Sequence, residues 1–422
     1  MNRVSTLATA LLPLFTSAVL AQPDLPAAQP PAQPVEEAVD PPANLPVADP
    51  AIEPKPKLVL RELLVVQADR YDDTANNPKL LDTALPADIK KTGRKKSTTN
   101  QEQYRDKPMP LGILTFQGTI EEPLQLRLKL TGSTSQFQAY FPDEDAIVGN
   151  QLLEWKEVRE ADDTQRAEVF GEQGAWLTTL RESDDRLWLR SRDPLRKERF
   201  VLYDASFRFK PNIDLRFAND RYSLKKVKPE RAAPPLSVLL RKSDRGWIAD
   251  TLAGPWSQPS GVIAKSDSDN AAVSTTKQAL APITDWLAER GYNKQETELA
   301  LGMIASAKSD QTRLSLIYIM PVGAIEDYVQ LRVKPEPDRV IRTAIVVVNN
   351  VDPNLNLQVN ALLDDLGSDE WAKRDRAQRE LIALGQAAIQ KVRQLKNNQD
   401  PEIAFRAQQI LDTYDWKMNS SR

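Results

Sequence analysis

The sequence predicts a multidomain α+β protein, because the spacing of its apolar residues changes twice along the chain. Between residues 58 and 254, apolar and polar side chains alternate in short segments, as in half-buried strands. Residues 274–350 combine two segments of helical spacing with three strand-like segments, and residues 351–416 have helical spacing throughout. These observations predict an N-terminal β-rich domain, a small α+β unit and a C-terminal set of α-helical hairpins.

The first 21 residues have the layout of a secretory signal peptide. Arg3 precedes an apolar stretch, and the small residue Ala21 stands before the expected cleavage point. The stretch is short and includes Pro13, so an uncleaved membrane anchor is the weaker interpretation. No later segment of the sequence is long and apolar enough to span a bilayer. We therefore expect an exported chain, located in the periplasm, at the cell surface or outside the cell.

Two segments have the composition of linkers. Residues 22–57 contain eleven prolines among Ala, Gln, Asp and Glu, which predicts a disordered but stiff spacer of polyproline II type. Residues 255–273 are rich in Pro, Ser, Gly and Asp and separate the β-rich domain from the α+β unit. A basic run, Lys90 to Lys96, lies in a stretch of about residues 88–107 that lacks apolar periodicity. It predicts a disordered loop, with an arm that docks on an anion as the alternative.

The β-rich domain is predicted from a series of short strands. From Leu124 to Leu130 every second residue is leucine and the residues between are polar, the pattern of a strand with one buried face. Turn-rich pieces separate the further strand candidates, which are Ala167–Phe170, Ala175–Leu180, Arg186–Arg190, Arg199–Tyr203, Ser206–Phe209 and Ile213–Phe217. This succession predicts a β-meander that forms a sandwich or an open barrel.

The α+β unit is predicted from two helices followed by three strands. Helical spacing covers Ala279–Leu287 and Glu296–Ala307. The strand candidates are Arg313–Met320, Tyr328–Val333 and Val340–Val348. Whether this unit packs on the first sheet as part of one domain is left open by the pattern.

Four helices are predicted in the C-terminal quarter of the chain. The first covers Gln358–Leu366, and Ser368 is placed to cap the second, which Gly385 ends. After a third helix, Asp400 is placed to cap the fourth, with Pro401 in its first turn. Short connections between these helices predict hairpins.

The amino-acid sequence of these helices is similar to that of a known repeat. The strings that carry the similarity are Leu363-Asp364-Asp365-Leu366-Gly367-Ser368-Asp369-Glu370, Arg374-Asp375-Arg376-Ala377, Leu384-Gly385, and Asp400-Pro401-Glu402-Ile403 with Arg406-Ala407. Over about residues 356–415 the chain resembles a HEAT-like helical-repeat unit, of the kind frequent in exported proteins of planctomycete-type bacteria. The resemblance implies packed helical hairpins that bind a partner through their surface.

The composition excludes several classes of enzyme. The sequence has no histidine and no cysteine, so it has no Ser-His-Asp or Cys-His nucleophile system, no HExxH zinc site and no disulfide. It also lacks a P-loop for nucleotide phosphates and a DxDxDG-type calcium loop, and it predicts no cofactor and no metal site. Its formal net charge of −3 argues against nucleic acid as the main partner.

One candidate ligand surface surrounds Trp188. Arg186, Trp188 and Arg190 alternate with two leucines, so a strand here places the two arginines and the ring on one face. If the leucines face the core, Trp188 lies exposed between cations and suits a sugar ring or an anionic glycan. Arg199 and Tyr203 are the residues that would extend this surface. The alternative is that both faces are covered and Trp188 belongs to the core.

Acidic residues offer a weaker second candidate. The densest groups are Asp143–Asp145 and the glutamates near Trp155, namely Glu154, Glu157 and Glu160. A glycosidase needs two carboxylates about 5–10 Å apart, but a solvated turn and a polar strand face explain these groups at least as well. We therefore expect an exported non-enzymatic protein that interacts with a protein partner or an envelope component. The alternative is a carbohydrate-binding module or a carboxylate-based glycoside hydrolase.

Overall fold

The computed structural model describes most of the chain between residues 57 and 420. The described residues are 57–69, 74–75, 90–91, 111–142, 145–162, 164–167, 175–190, 196–243, 246–256, 260–265, 275–308 and 314–420. The chain divides into two units, Met1–Pro54 and Lys55–Arg422, and all described residues belong to the second. The predicted signal peptide, nearly all of the Pro-rich spacer and most of the basic loop lie outside the described residues.

Twenty strands lie within the described residues. They are β1 Leu58–Asp69, β2 Thr74–Ala75, β3 Lys90–Lys91, β4 Gly112–Gly118, β5 Leu124–Leu130, β6 Gln136–Phe141, β7 Ala146–Val148, β8 Leu152–Glu160, β9 Arg166–Ala167, β10 Leu189–Arg190, β11 Arg196–Lys197, β12 Phe200–Arg208, β13 Ile213–Ala218, β14 Arg221–Lys226, β15 Leu236–Ser243, β16 Gly246–Ala253, β17 Ser260–Lys265, β18 Leu314–Ile319, β19 Val329–Lys334 and β20 Arg339–Asn349.

Eight α-helices accompany them in the same part of the chain. They are α1 Ala175–Arg181, α2 Thr276–Ala279, α3 Ala281–Ala288, α4 Lys294–Ala307, α5 Leu355–Asp365, α6 Trp371–Leu384, α7 Gln386–Gln394 and α8 Pro401–Ser420. Short 3-10 helices cover Ala324–Asp327 and Leu395–Asn397. None of the described helices has the length and apolar character needed to cross a bilayer.

The two longest strands, β1 and β20, form the centre of a ten-stranded mixed sheet. Its order is β16-β15-β18-β20-β1-β4-β12-β6-β3, and β2 pairs with β12. β1 and β20 run parallel, from Val59 opposite Arg339 to Asp69 opposite Asn349. Both strands carry long apolar runs, which is typical of strands that are covered on both faces.

This sheet removes the predicted boundary between the β-rich domain and the α+β unit. β15 and β16 precede the predicted linker 255–273 whereas β18 and β20 follow it, yet all four belong to one sheet. Residues 260–265, inside the predicted linker, form β17 and pair with β14. The periodicity of a segment reports which side chains share a face but does not identify the partner strand. The pattern therefore could not show that both parts build one sheet.

Separate apolar cores cover the two faces of the main sheet. On one face Leu63 and Val65 of β1 pack in a core with helices α1, α3 and α4. On the other face Leu60 and Val66 pack against two antiparallel sheets. One has the order β10-β8-β5-β19 with β7 beside β8, and the other has the order β13-β14-β17. The mixed α+β class is confirmed, but helices, main sheet and antiparallel sheets form three layers in place of the predicted sandwich or barrel.

Alternation predicted β5 correctly. Leu124, Leu126, Leu128 and Leu130 are all buried there, and the polar residues between them face outward. The strand predicted over Ala175–Leu180 is wrong, because these residues begin helix α1. Leu177 and Leu180 both enter the helix-side core, and residues three apart share one face of a helix.

Two further strand predictions merge into one element. Arg199–Tyr203 and Ser206–Phe209 are parts of a single strand, β12, which is buried along almost its whole length. Its pairing with β6 shifts register between Asp204 and Ala205. Such a bulge interrupts the period-two pattern, which explains why the sequence shows two short strands. The predicted helices and strands of residues 274–350 are confirmed as α3, α4, β18, β19 and β20.

The four predicted C-terminal helices are confirmed as α5 to α8 and enclose an apolar core of their own. Asp400 caps α8, since its Oδ1 accepts a hydrogen bond from the Glu402 amide at 2.8 Å, and Pro401 is the first helical residue. Gly385 follows the last residue of α6 with a positive φ of 57°. These two predicted helix boundaries are therefore confirmed.

Ser368 does not have its predicted role as the cap of α6. That helix begins at Trp371, and the residue before it is Glu370. The Ser368 hydroxyl accepts a hydrogen bond from the Glu370 amide at 3.2 Å, so it stabilises the turn that leads into the helix.

Candidate functional site

A cleft of about 820 Å³ opens where the chain passes from β19 to β20. β19 belongs to an antiparallel sheet and β20 to the main sheet, and residues 335–338 connect them. Residues of both strands line the cleft, together with residues 322–326 and with Gln125 and Arg127 of β5. The cleft is therefore bounded by strands from two different layers.

Arg342, on one wall of the cleft, belongs to a buried charge network. Its Nε donates a hydrogen bond to Glu62, its Nη1 donates to Glu326, and its Nη2 donates to the Val329 carbonyl at 2.9 Å. The hydroxyl of Tyr203 donates to the other oxygen of Glu62 at 2.6 Å, and Glu62 is fully buried. Because each nitrogen of Arg342 has an acceptor, the network holds β1, β12, β19 and β20 in fixed positions.

Both polar partners of Glu62 keep their protons. Burial and the nearby carboxylate raise the pKa of Tyr203 well above its ordinary value. Burial lowers the pKa of Arg342, but the charge of Glu62, the hydrogen bond to it, and the influence of Tyr203 and Glu326 together outweigh burial, so the pKa of Arg342 is raised. A general acid or base needs a pKa near the working pH, and neither group meets that requirement. The network is therefore suited to holding structure in place and unsuited to proton transfer.

The rim of the cleft is rich in positive charge. Arg127, Arg332 and Lys334 line it beside the network arginine, whereas Glu326 and Glu336 supply the negative charges. Arg332 Nη1 lies 3.3 Å from a Glu326 oxygen, but its side chain is 64% exposed. Lys334 forms no ion pair with any described residue. Arg127 and Arg342 are already paired with Glu154, Glu62 and Glu326, so Arg332 and Lys334 are the cations of this rim that an incoming anion can reach.

A smaller pocket of about 300 Å³ shares two lining residues with the cleft. Phe209, Tyr318 and Tyr328 line this pocket, and the ring centroids of Phe209 and Tyr328 lie 5.2 Å apart. The exposed ion pair between Arg231 and Asp327 also contributes to its lining. A mainly apolar lining with a few polar groups suits a small apolar group.

Arg186 lies on the helix side of the main sheet and is buried, which corrects the prediction that it belongs to an exposed surface. Its Nε and Nη2 donate hydrogen bonds to the two carboxylate oxygens of Glu296 at 2.8 and 2.6 Å. Glu296 also accepts from Thr115 Oγ1 at 2.5 Å and from the amide of Asn293, the cap of α4. Arg61 lies beside this pair, and its Nε and Nη1 have no hydrogen-bond partner among the described residues.

Trp188 is half-buried, and two cations lie over its ring. The Nζ of Lys197 is 5.2 Å from the ring centroid, and the Cζ of Arg199 is 4.8 Å from it. Arg190 lies two residues further along the chain, in β10. Tyr203 is fully buried in the network around Glu62, so it does not extend this surface. Of the five predicted residues, the structure thus brings Trp188 and Arg199 together, and cations already cover the ring.

Of the predicted carboxylates, Glu154 is the one whose surroundings in the structure bear on a role as proton donor. Asp143 and Glu144 lie outside the described residues. Glu154 is buried and accepts a hydrogen bond from Arg127 Nη2 at 2.8 Å, and this bond lowers the pKa of Glu154. A glycosidase acid needs a raised pKa, so Glu154 is unsuited to that role. Among the described residues, no group of three acidic side chains is arranged to hold a metal ion.

The C-terminal helices expose large apolar side chains although their core is complete without them. The exposed fractions are 68% for Leu357, 63% for Trp371 and 59% for Phe405, and none of the three belongs to the helical core. Sequence reasoning missed these residues, but helical spacing contains the signal. Phe405 precedes the buried Ala407 by two residues, which places it about 200° around the helix from that buried position.

In comparisons with known proteins, no protein-family model matches this chain and no curated protein matches its sequence. The resemblance of residues 356–415 to a HEAT-like unit stays a prediction.

Proposed function

We propose that this protein is exported and acts without catalysis, by binding a protein partner or an envelope component through a HEAT-like helical end. The exposure of Leu357, Trp371 and Phe405 carries the proposal. Large aromatic side chains cost free energy in water, and they are enriched at the centres of protein interfaces. The helices already enclose a core without these three residues, so core packing gives no reason for their presence.

Contacts between helices support a rigid binding surface. Arg406 Nη1 donates a hydrogen bond to Gln378 Oε1 at 2.8 Å, and Gln378 Nε2 donates to Gln409 Oε1 at 3.0 Å. These bonds join α6, which begins with Trp371, to α8, which carries Phe405. A surface that is already ordered loses less entropy on binding than a flexible one.

The described charged groups support a role in binding over a role in catalysis. Tyr203 and Arg342 hold their protons in a saturated network, and the hydrogen bond from Arg127 keeps Glu154 ionised. A second candidate function is the binding of an anionic glycan near Trp188, favoured by the two cations beside that ring. It is weaker, because the Trp188 ring on which a sugar would stack already has two cations within 5.2 Å of its centroid.

A site-specific crosslink tests the helical surface. The mature chain, from Gln22 onward, carries p-benzoylphenylalanine in place of Phe405 and is illuminated with the envelope fraction of its own source. We expect one discrete crosslinked partner, at a yield that falls about tenfold when Trp371→Ala is added, since hot-spot aromatics dominate interface energies. N-terminal sequencing of the protein from that source tests export, with Gln22 as the expected first residue.

A matched control places the same crosslinker at Val227, which is 58% exposed outside the helical end. A product that forms equally well from position 227 would contradict the proposal, as would the absence of any product from position 405. Thermal unfolding of each variant shows whether the helical core is intact.

A further inference from the structure

β19 is the last strand of its sheet in the described part of the chain. It pairs with β5 through six residue pairs, from Val329 opposite Leu130 to Lys334 opposite Gln125. No described strand follows on its other side, and residues 331–334 line the cleft there. A strand in this position presents backbone groups that can form hydrogen bonds with an added strand.

The register shows which backbone groups face the cleft. The amide of Thr131 donates to the carbonyl of Tyr328 at 2.9 Å, so these two residues form a hydrogen-bonded pair of the ladder. In an antiparallel ladder every second residue exchanges such bonds with its partner, so Gln330 and every second residue after it bond to β5. The residues between them point their N–H and C=O groups away from β5: Val329, Leu331 and Val333.

Two side-chain contacts independently support this assignment. The carbonyl of Val329 accepts a hydrogen bond from Arg342 Nη2 at 2.9 Å. The carbonyl of Leu331 accepts a hydrogen bond from Arg332 Nη1 at 2.8 Å. Both carbonyls thus point to the cleft, and guanidinium groups stand where the N–H donors of a neighbouring strand would lie. The exposed Arg332 can leave its carbonyl at little cost and pair with an acid of the arriving strand.

The other wall of the cleft is also built from strand backbone. β18 covers β20 from Ile345 to Val348. The earlier residues of β20 extend past β18, and Val340 and Arg342 line the cleft. A slot between two strands that belong to different sheets fits an extended chain better than a compact ligand.

The side chains of β19 indicate the charge of the chain that binds beside it, and the length of β19 indicates how many residues that chain can pair. Arg332 and Lys334 project from β19 beside Arg127 of β5. An added strand is therefore favoured if its residues opposite these cations carry carboxylates. The strand contains six residues, which at about 3.3 Å per residue corresponds to a segment of about six residues in the bound chain. Backbone groups that alternate every second residue match a peptide, because a polysaccharide has no repeating N–H and C=O pair of this kind.

We propose that the free edge of β19 binds an extended acidic segment of a partner protein by strand addition. The amides and carbonyls of Leu331 and Val333 bond to its backbone, and Arg332 and Lys334 pair with its carboxylates. This site uses other residues than the helical surface of Trp371 and Phe405. The strand-addition proposal can therefore be wrong while the proposed role of the helical end is right, and the helical role can be wrong while strand addition is right.

The charge of the site is tested with a fluorescein-labelled peptide of seven residues that alternates glutamate with valine or threonine. Fluorescence anisotropy with the mature full chain should show saturable binding, and a peptide with lysine in place of glutamate should bind at least about tenfold more weakly. Arg332→Glu combined with Lys334→Glu should cause a loss of similar size. Arg221→Glu removes an exposed cation on β14 and should leave the affinity unchanged. If Arg221→Glu weakened peptide binding as much as the double variant does, the proposed site would be overturned.

Backbone pairing is tested with two N-methylated versions of the same peptide, methylated at alternate residues in opposite phases. Strand addition requires that one phase lose at least about tenfold in affinity while the other binds like the parent, because alternate N–H groups face the protein. Hydrogen exchange should slow at the Leu331 and Val333 amides on binding and stay unchanged at Gln330. Equal binding of both methylated peptides, or equal competition by polygalacturonate at matched charge, would show a purely electrostatic contact and overturn strand addition.

Discussion

Two buried charge clusters lie on opposite faces of the main sheet, and they begin at consecutive residues of one strand. Arg61 and Glu62 are neighbours on β1, so their side chains point in opposite directions. On the helix face Arg61 lies beside Arg186, which pairs with the buried Glu296 and, at 2.6 Å, with the half-exposed Asp185. On the cleft face Glu62 and a second carboxylate share Arg342, which makes two negative charges and one positive.

The clusters differ in how completely their polar atoms are paired. Every nitrogen of Arg342 has an acceptor, whereas Arg61 has two nitrogens without one among the described residues. The helix-face cluster fastens the start of α4 through Glu296 and closes against helices. The cleft-face cluster holds the Val329 carbonyl at the edge of β19, and its arginine lines the cleft. Buried charge thus anchors a helix on one side and sets up a binding edge on the other.

The largest effect is expected from removing Glu296, the buried carboxylate of the helix-face cluster. Glu296→Ala leaves Arg61 and Arg186 buried together with the half-exposed Asp185 as their remaining counter-charge, and arginine cannot release its proton to relieve this. We expect a loss of about 3–5 kcal/mol in the free energy of unfolding, measured by chemical denaturation. Glu298→Ala, at an exposed position of the same helix, should change stability by less than about 0.5 kcal/mol. Equal losses in the two variants would show that the cluster does not stabilise the fold.

A smaller effect is expected on the cleft face from Tyr203→Phe. This change removes one hydrogen bond to a buried carboxylate, worth about 1.5–3 kcal/mol at pH 7. The pKa of Tyr203 is raised in the folded state, so the wild type loses stability as pH rises above the ordinary tyrosine value of 10.0, where the unfolded chain ionises. The Tyr203→Phe variant does not lose stability in this way, because phenylalanine does not ionise. The stability gap between the two proteins should therefore narrow above pH 10.0, and a constant gap would contradict the assignment.

The smallest effect, with the opposite sign, is expected from Arg61→Met. Burial lowers the pKa of Arg61 first, and the charge of Arg186 lowers it further, so the folded state disfavours this cation. Replacing it with an apolar side chain of similar length should leave stability unchanged or raise it by up to about 1 kcal/mol. Thermal unfolding of the variant beside the wild type measures this. A clear loss of stability would mean that Arg61 has a partner outside the described residues, and the contrast between the two faces would disappear.

Several elements were predictable because their signal is local. The leucines of β5 alternate over one short segment, and Asp400 with Pro401 marks the start of α8 within two residues. Helix α1 was mistaken for a strand, because its seven residues are too few for the helical period to stand out from alternation.

The candidate sites were less predictable than the elements. The strand predicted over Arg186–Arg190 is present only at Leu189–Arg190, and the pattern could not show that helix α4 brings Glu296 over Arg186. Tyr203 looks like a surface extension of Trp188 in the sequence, yet its hydroxyl meets Glu62, 141 residues earlier in the chain. Both cases depend on contacts between distant segments.

Composition and local patterns were enough to exclude several classes of enzyme and to place most of the local elements. The absence of histidine and cysteine, the period of each segment and the capping residues are properties of neighbouring positions, and no folding is needed to state them. The pairing of β1 with β20, the burial of Arg186 and Tyr203, and the position of β19 at the end of its sheet among the described strands become visible only in the folded chain. Strand pairing and burial depend on which distant surfaces fit together, and periodicity within one segment carries no information about its partner.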